Sequence, residues 1–120
     1  MSSVNELMAM RQYFNSQATR SFDFRKQQLL KLKAVITKYE QEIYSALYID
    51  LKKTPEECWV TENGFLLSEL NQALKNLDHW MQLRRVSTNL LNLPSSSYIL
   101  PEPLGVVLII GPWNYPLQLL

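Results

Sequence analysis

The turn Gly111-Pro112-Trp113-Asn114-Tyr115-Pro116 gathers the residues of this chain best suited to chemistry. Asn114 offers an uncharged amide donor, a group that can face a developing oxyanion. Gly111 has no Cβ, so backbone can approach a ligand closely there. Two prolines stiffen the turn, and Trp113 and Tyr115 supply flat walls. A second reading is a tight turn whose aromatics pack in a core. On the bare six residues that reading is the simpler one, because no G-x-G-x-x-G accompanies them.

The other titratable residues suggest less. Cys58 sits in Glu56-Glu57-Cys58-Trp59, where two carboxylates disfavour a thiolate, so it reads as a structural or partly exposed thiol. As the single cysteine it excludes an internal disulfide framework and a cysteine-rich zinc site. His79 has no second His or Cys near it, and no metal site is expected. Glu62 and Glu69 lie two turns apart on one helix and read as a solvated face, not an acid/base pair. Arg84-Arg85 reads as a solvent-facing charge cluster.

These residues need elements to hold them. Val4, Leu7, Met8 and Phe14 sketch a short amphipathic helix, and residues 15 to 21 a polar connection. Ser21 or Asp23 can cap a long second helix. Its apolar face is Leu29, Leu32, Ile36, Tyr39, Ile43 and Leu47, at steps of three and four. Lys31, Lys33, Lys38, Glu40 and Glu42 fall off that face, and Lys52-Lys53 end the helix with charge of the right sign. Thr54-Pro55-Glu56-Glu57 has the form of a capping box with proline in the first turn. Trp59, Leu66, Leu70, Ala73, Leu77 and Trp80 then make one face of a helix running to about Met81. Asn63-Gly64 is the one turn signal inside it.

Three regions result. Residues 1 to 83 are helical. Residues 84 to 103, rich in Asn, Ser, Thr and Pro, read as an extended arm, with Leu90-Leu91 and Tyr98-Ile99-Leu100 as short extended stretches around a Pro94-Ser95-Ser96-Ser97 loop. Residues 104 to 120 open with Leu104-Gly105-Val106-Val107-Leu108-Ile109-Ile110, apolar without alternation. Such a strand belongs inside a parallel sheet covered on both faces. It needs neighbours on each side, and no second strand of that kind is present. Pro116 suits the first position of a helix, Pro116-Leu117-Gln118-Leu119-Leu120. The expected fold is therefore α/β: N-terminal helices plus the first strand of a Rossmann-like parallel sheet, truncated just after its first strand-to-helix turn. In open sheets of this kind ligands sit at the carboxyl ends of strands, where the turn lies.

Composition narrows the function. The 120 residues, 14.0 kDa, are 47% apolar and carry 12 basic against 11 acidic groups. That near balance lacks the basic field of nucleic-acid binding, so no nucleic-acid partner is expected. The stretch 104–120 is uncharged but only 17 residues long, and Pro112 and Pro116 interrupt it; a membrane span needs about 20 apolar residues. The N-terminus has no signal-peptide pattern, and a lone cysteine suits a reducing compartment, so a cytoplasmic location is expected.

The run Pro101-Glu102-Pro103-Leu104-Gly105-Val106-Val107-Leu108-Ile109-Ile110-Gly111-Pro112-Trp113-Asn114-Tyr115-Pro116 closely resembles the aldehyde dehydrogenase superfamily, and its class 3 branch in particular. Upstream, Glu42-Ile43-Tyr44-Ser45-Ala46-Leu47 with Asp50-Leu51-Lys52-Lys53, and Ala73-Leu74-Lys75-Asn76-Leu77 ending at Trp80, resemble that branch's opening helices. The resemblance implies NAD- or NADP-dependent oxidation of aldehydes to carboxylic acids. A cysteine thiolate forms a thiohemiacetal, hydride passes to the nicotinamide, and water activated by a glutamate hydrolyses the resulting thioester. It further implies that Asn114 donates to the substrate oxyanion, that Ile110, Gly111, Pro112 and Trp113 line the cofactor cleft, and that Tyr115 lies near the substrate pocket. For the complete enzyme it implies a homodimer acting on a small-molecule aldehyde.

The family's nucleophilic cysteine, general-base glutamate, ribose-binding lysine and pyrophosphate-binding glycine turn all lie beyond this motif. None stands in these 120 residues, so the chain alone is expected to be inactive. The reading is thus an N-terminal fragment of an enzyme. The alternatives are a non-enzymatic helical module that binds a partner through Trp59, Leu66, Leu70 and Trp80, or an inactive truncated remnant.

Overall fold

A computed structural model describes residues 3–120. Five helices come first: α1 (Ser3–Asn15), α2 (Phe22–Lys38), α3 (Glu40–Leu51), α4 (Pro55–Cys58) and α5 (Gly64–Met81), with a π-helical turn, Trp59–Asn63, joining the last two. A small antiparallel pair follows, β1 (Arg84–Val86) and β2 (Ser97–Ile99), with a 3₁₀ turn at Leu90–Asn92 between them.

The starts of α2 and α4 follow from side-chain caps. Ser21 accepts from the Phe24 amide, and Thr54 accepts from the Glu57 amide with Pro55 in the first turn. The expected single helix from residue 21 onward is instead two. Tyr39, at φ −101 and ψ 22, steps out of the helix between α2 and α3. The Thr37 hydroxyl donates to the Lys33 carbonyl just before that step, a back-bond of the kind that bends helices. Apolar spacing had carried the pattern through Tyr39, but its ring is exposed.

The helix expected from Pro55 to Met81 is continuous but not uniform. Cys58 faces inward before the π turn, Glu62 and Asn63 within it, and Leu70 after it. One inserted residue shifts the inward face, so Glu62 and Asn63 are both fully buried although adjacent. Trp59 and Trp80 consequently flank the buried face, and both are about half exposed. Gly64 permits this widening. Its amide donates to the Trp59 carbonyl, and a Cβ at position 64 would stand 2.5 Å from that oxygen. Gly64→Ala is therefore expected to destabilise the protein by roughly 1–3 kcal/mol, the usual cost of forcing extra volume into a packed site. Urea denaturation midpoints check this; an unchanged midpoint would show that the π turn does not depend on a bare Cα.

The arm differs from expectation in two places. Leu90–Asn92 curls into a 3₁₀ turn because the Asn89 side chain accepts from the Leu91 amide. Arg84-Arg85, read as a charge cluster, begins β1, pairing Arg84 with Ile99 and Val86 with Ser97. Tyr98 and Ile99 are extended as expected.

Val106–Ile110 pairs with no strand among the described residues. Leu104, Leu108 and Ile110 are each more than four-fifths exposed. The radius of gyration is 19.5 Å, against about 14 Å for a compact domain of this length. The buried apolar set among the described residues is small: Ile36, Leu47, Cys58 and Leu70. The strand expected over 104–110 does not form among the described residues, and the helices and this segment present apolar faces that these residues do not cover. No described helix is long and apolar enough to cross a membrane.

Candidate functional site

The turn from Gly111 to Pro116 is built around one buried ion pair. Lys52 closes α3 in the left-handed conformation, φ 59, which reverses the chain and sends Lys53 inward. Glu62 enters from the π turn. The Lys53 ammonium lies 2.5 Å from Glu62 Oε1, with the carboxylate side chain fully buried and the lysine nearly so. Lys53 Nζ also donates to the Asn114 carbonyl at 2.8 Å and stands 4.1 Å from the centre of the Tyr115 ring.

Glu62 Oε2 completes the arrangement. It accepts from the Leu117 amide at 3.1 Å and the Gln118 amide at 2.9 Å. The Leu119 amide bonds back to the Tyr115 carbonyl, so a helical turn begins at Pro116. The first amides of a helix have no partner within it. Pro116 has none to satisfy, and Leu117 and Gln118 find theirs in one carboxylate, a favourable place for negative charge.

These bonds use backbone groups of the turn, not the Asn114 side chain. Asn114, Pro112, Trp113 and Ile110 are exposed, while Gly111 and Tyr115 are half-buried. An amide held by its backbone and open at its tip can donate to an incoming oxygen. Trp113, Pro116 and Leu117 share a cleft of about 670 Å³ with Ile43, Ala46, Leu47, Asp50 and Leu51 of α3. The turn therefore has one apolar flank and one polar root.

Glu62 is not on a solvated face, as its sequence context suggests; only Glu69 is exposed. The signal available was the helical start at Thr54, which places Glu62 one turn after an inward Cys58. Lys53 carried no such signal, because the reversal at Lys52 is invisible in residue type. Asn63, next to Glu62, is fully buried with Nδ2 and Oδ1 unpartnered among the described residues.

Cys58 is fully buried, and its Sγ lies 3.9 Å from the Lys53 carbonyl. Burial pushes the thiol up, Lys53 pulls it back, and Glu62 and Glu57 push it up again. It is thus a packed thiol and no nucleophile. Alkylation in native buffer is expected to run at least about 100-fold slower than in denaturant; equal rates would contradict the burial. Tyr44 donates to Glu40 at 2.9 Å, and burial together with that carboxylate pushes its phenol up to about 12. His79 is exposed.

Comparison with known proteins bears on this geometry. Residues 4–120 match the aldehyde dehydrogenase family. The chain is 47% identical over 107 residues to the 4,4'-diaponeurosporen-aldehyde dehydrogenase of Staphylococcus aureus, covering 89% of this chain and 23% of that protein. It is 42% identical over 115 residues to aldehyde dehydrogenase family 3 member B1 of Rattus norvegicus, covering 96% and 25%. A solved structure of Staphylococcus aureus AldH in its substrate-bound state superimposes with a TM-score of 0.94 at 42% identity, over 99% of this chain and 26% of that one. The chain spans about a quarter of the length of the relatives it matches.

Proposed function

The chain belongs to the aldehyde dehydrogenase family, and we propose that it forms the N-terminal part of an NAD(P)-dependent enzyme oxidising aldehydes to carboxylic acids. The observation that carries this reading is the 42% identical superposition over nearly all of its residues. Within the enzyme, the N-terminal helices pack on the cofactor-binding domain, 84–103 form an arm, and 104–120 supply a core strand and its turn.

Asn114 holds the central role. When a thiolate supplied by the rest of the polypeptide adds to the aldehyde carbonyl, negative charge gathers on the oxygen. Asn114 Nδ2–H donates to that oxygen, and the bond strengthens as charge develops. The turn presents the amide before substrate arrives, so little reorganisation accompanies the step. Tyr115 borders the substrate, its ring fixed by the Lys53 ammonium.

Ile110, Gly111, Pro112 and Trp113 form a wall for the nicotinamide cofactor. The exposed apolar surface of Ile110 and Trp113 fits a flat ring, while the space beside the bare Cα of Gly111 is taken by the Leu120 side chain. No cation stands among those four, so they suit the cofactor's rings and not its phosphates. When bound, the cofactor supplies the hydride acceptor.

These 120 residues contain no family nucleophile, and the isolated chain is inactive in this reading. The test is aldehyde-dependent reduction of NAD and NADP, assayed with the complete polypeptide and with the 120-residue chain. Activity in the first and none in the second is expected. A complete polypeptide inert toward short, long and aromatic aldehydes with both nucleotides would overturn the reading.

A further inference from the structure

We infer that Lys53 and Glu62 are positioning residues for Asn114, a brace that sets where the oxyanion donor stands. The inference rests on the function proposed above. The brace grips the turn on both sides of the donor. Lys53 Nζ holds the carbonyl of Asn114 itself at 2.8 Å, and Glu62 Oε2 holds the amides three and four residues later at 3.1 and 2.9 Å. The two halves are locked together by the 2.5 Å contact between Nζ and Oε1. Lys53 also packs on the Tyr115 ring, the residue next to the donor.

Stability alone does not explain this arrangement, because a buried ion pair is seldom better than two packed apolar side chains. What an apolar pair cannot do is fix a polar backbone in direction as well as position. Each anchor ends on a main-chain atom of residues 114–118, and none engages the Asn114 amide, which stays free for substrate. The anchors come from the end of α3 and from the π turn. The donor's place is thereby tied to the helical layer as well as to its own segment. An oxyanion donor acts over hydrogen-bond distance, so a displacement of about 1 Å costs rate without abolishing binding.

The test uses the complete polypeptide with Glu62→Ala, Glu62→Gln and the double replacement Lys53→Met/Glu62→Leu. The last leaves no unpaired charge, which keeps it folded should Glu62→Ala unfold. Amide hydrogen exchange reads the brace without any assay of activity. Exchange at Leu117 and Gln118 is expected to quicken roughly 10–100-fold beyond any change at α5 amides near Leu70, in Glu62→Ala and in the double replacement, with Glu62→Gln intermediate. In the same variants kcat is expected to fall roughly 10–100-fold with KM within about threefold. Adding Asn114→Ala to the double replacement is expected to cost less than about threefold more than Asn114→Ala alone, since a displaced donor has little left to lose. Unchanged exchange at Leu117 and Gln118, or kinetic losses that simply multiply, would overturn the brace. A wild-type polypeptide without aldehyde oxidation would overturn the proposed function, and with it a catalytic role for the brace; an active wild type with indifferent variants would overturn the brace alone.

Discussion

In the complete polypeptide, Asn114→Ala is expected to lower turnover by roughly 10²–10³-fold, the loss typical of one oxyanion-hole donor. The size follows from where charge appears. The ground-state aldehyde needs the amide little, whereas the addition step places nearly a full charge on the oxygen it faces. Most of the loss should therefore appear in kcat, with a small change in KM. Asn114→Asp should be at least as damaging, since a carboxylate presents an acceptor and a like charge to the oxyanion. The structure makes these substitutions clean tests. The exposed amide takes no part in the bonds that hold the turn, so removing it leaves those bonds in place. Steady-state kinetics check the prediction. Unchanged turnover, with chemistry shown to limit the rate, would remove Asn114 from the mechanism.

Glu62→Ala is expected to destabilise the protein by roughly 3–5 kcal/mol, as removal of one partner from a buried ion pair does. Two costs combine. Lys53, almost fully buried, loses its counter-charge, and the Leu117 and Gln118 amides lose their acceptor. Lys53→Met should cost less, because Glu62 keeps both amide bonds. The double replacement Lys53→Met/Glu62→Leu should recover much of the loss, since no unpaired charge remains. Urea midpoints on the four proteins decide the order. Equal loss in the single and double replacements would show that the pair acts through packing and not through charge.

The sequence carried the helices well where spacing and caps agreed. Ser21 and Thr54 cap where their residue types allow, and the strongly patterned stretch to Met81 is helical to its end. It carried the break at Tyr39 poorly, since an aromatic at the right spacing looks like core whichever way its ring turns. The π turn was half legible. Asn63-Gly64 marked the place, but a turn signal does not distinguish a break from one extra residue in the helix. Arg84–Val86 gave no strand pattern, because a three-residue edge strand exposed on both faces has no alternation to show.

The turn from Gly111 to Pro116 was legible as a motif, and its support was not. Gly111 to Pro116 is contiguous, so residue types alone present it. The residues that fix it stand 61 and 55 positions from the atoms they hold. Charge on a helix normally means solvent, and Glu62 is the exception, one turn after the buried Cys58. Long-range pairing of two charged side chains leaves no local trace in sequence. The same applies to the exposed face of Val106–Ile110, whose pattern announces neighbours without naming them.

We propose that these residues are the first part of a larger aldehyde dehydrogenase. The intact mass of the polypeptide produced from its native locus tests it most directly. The matched proteins are about four times as long as the stretch they share with this chain, 107 residues being 23% of one of them. A mass several-fold above 14.0 kDa is expected. A mass of 14.0 kDa would contradict it. The cell would then make a piece without a nucleophile, and Asn114 with its brace would have no reaction to serve.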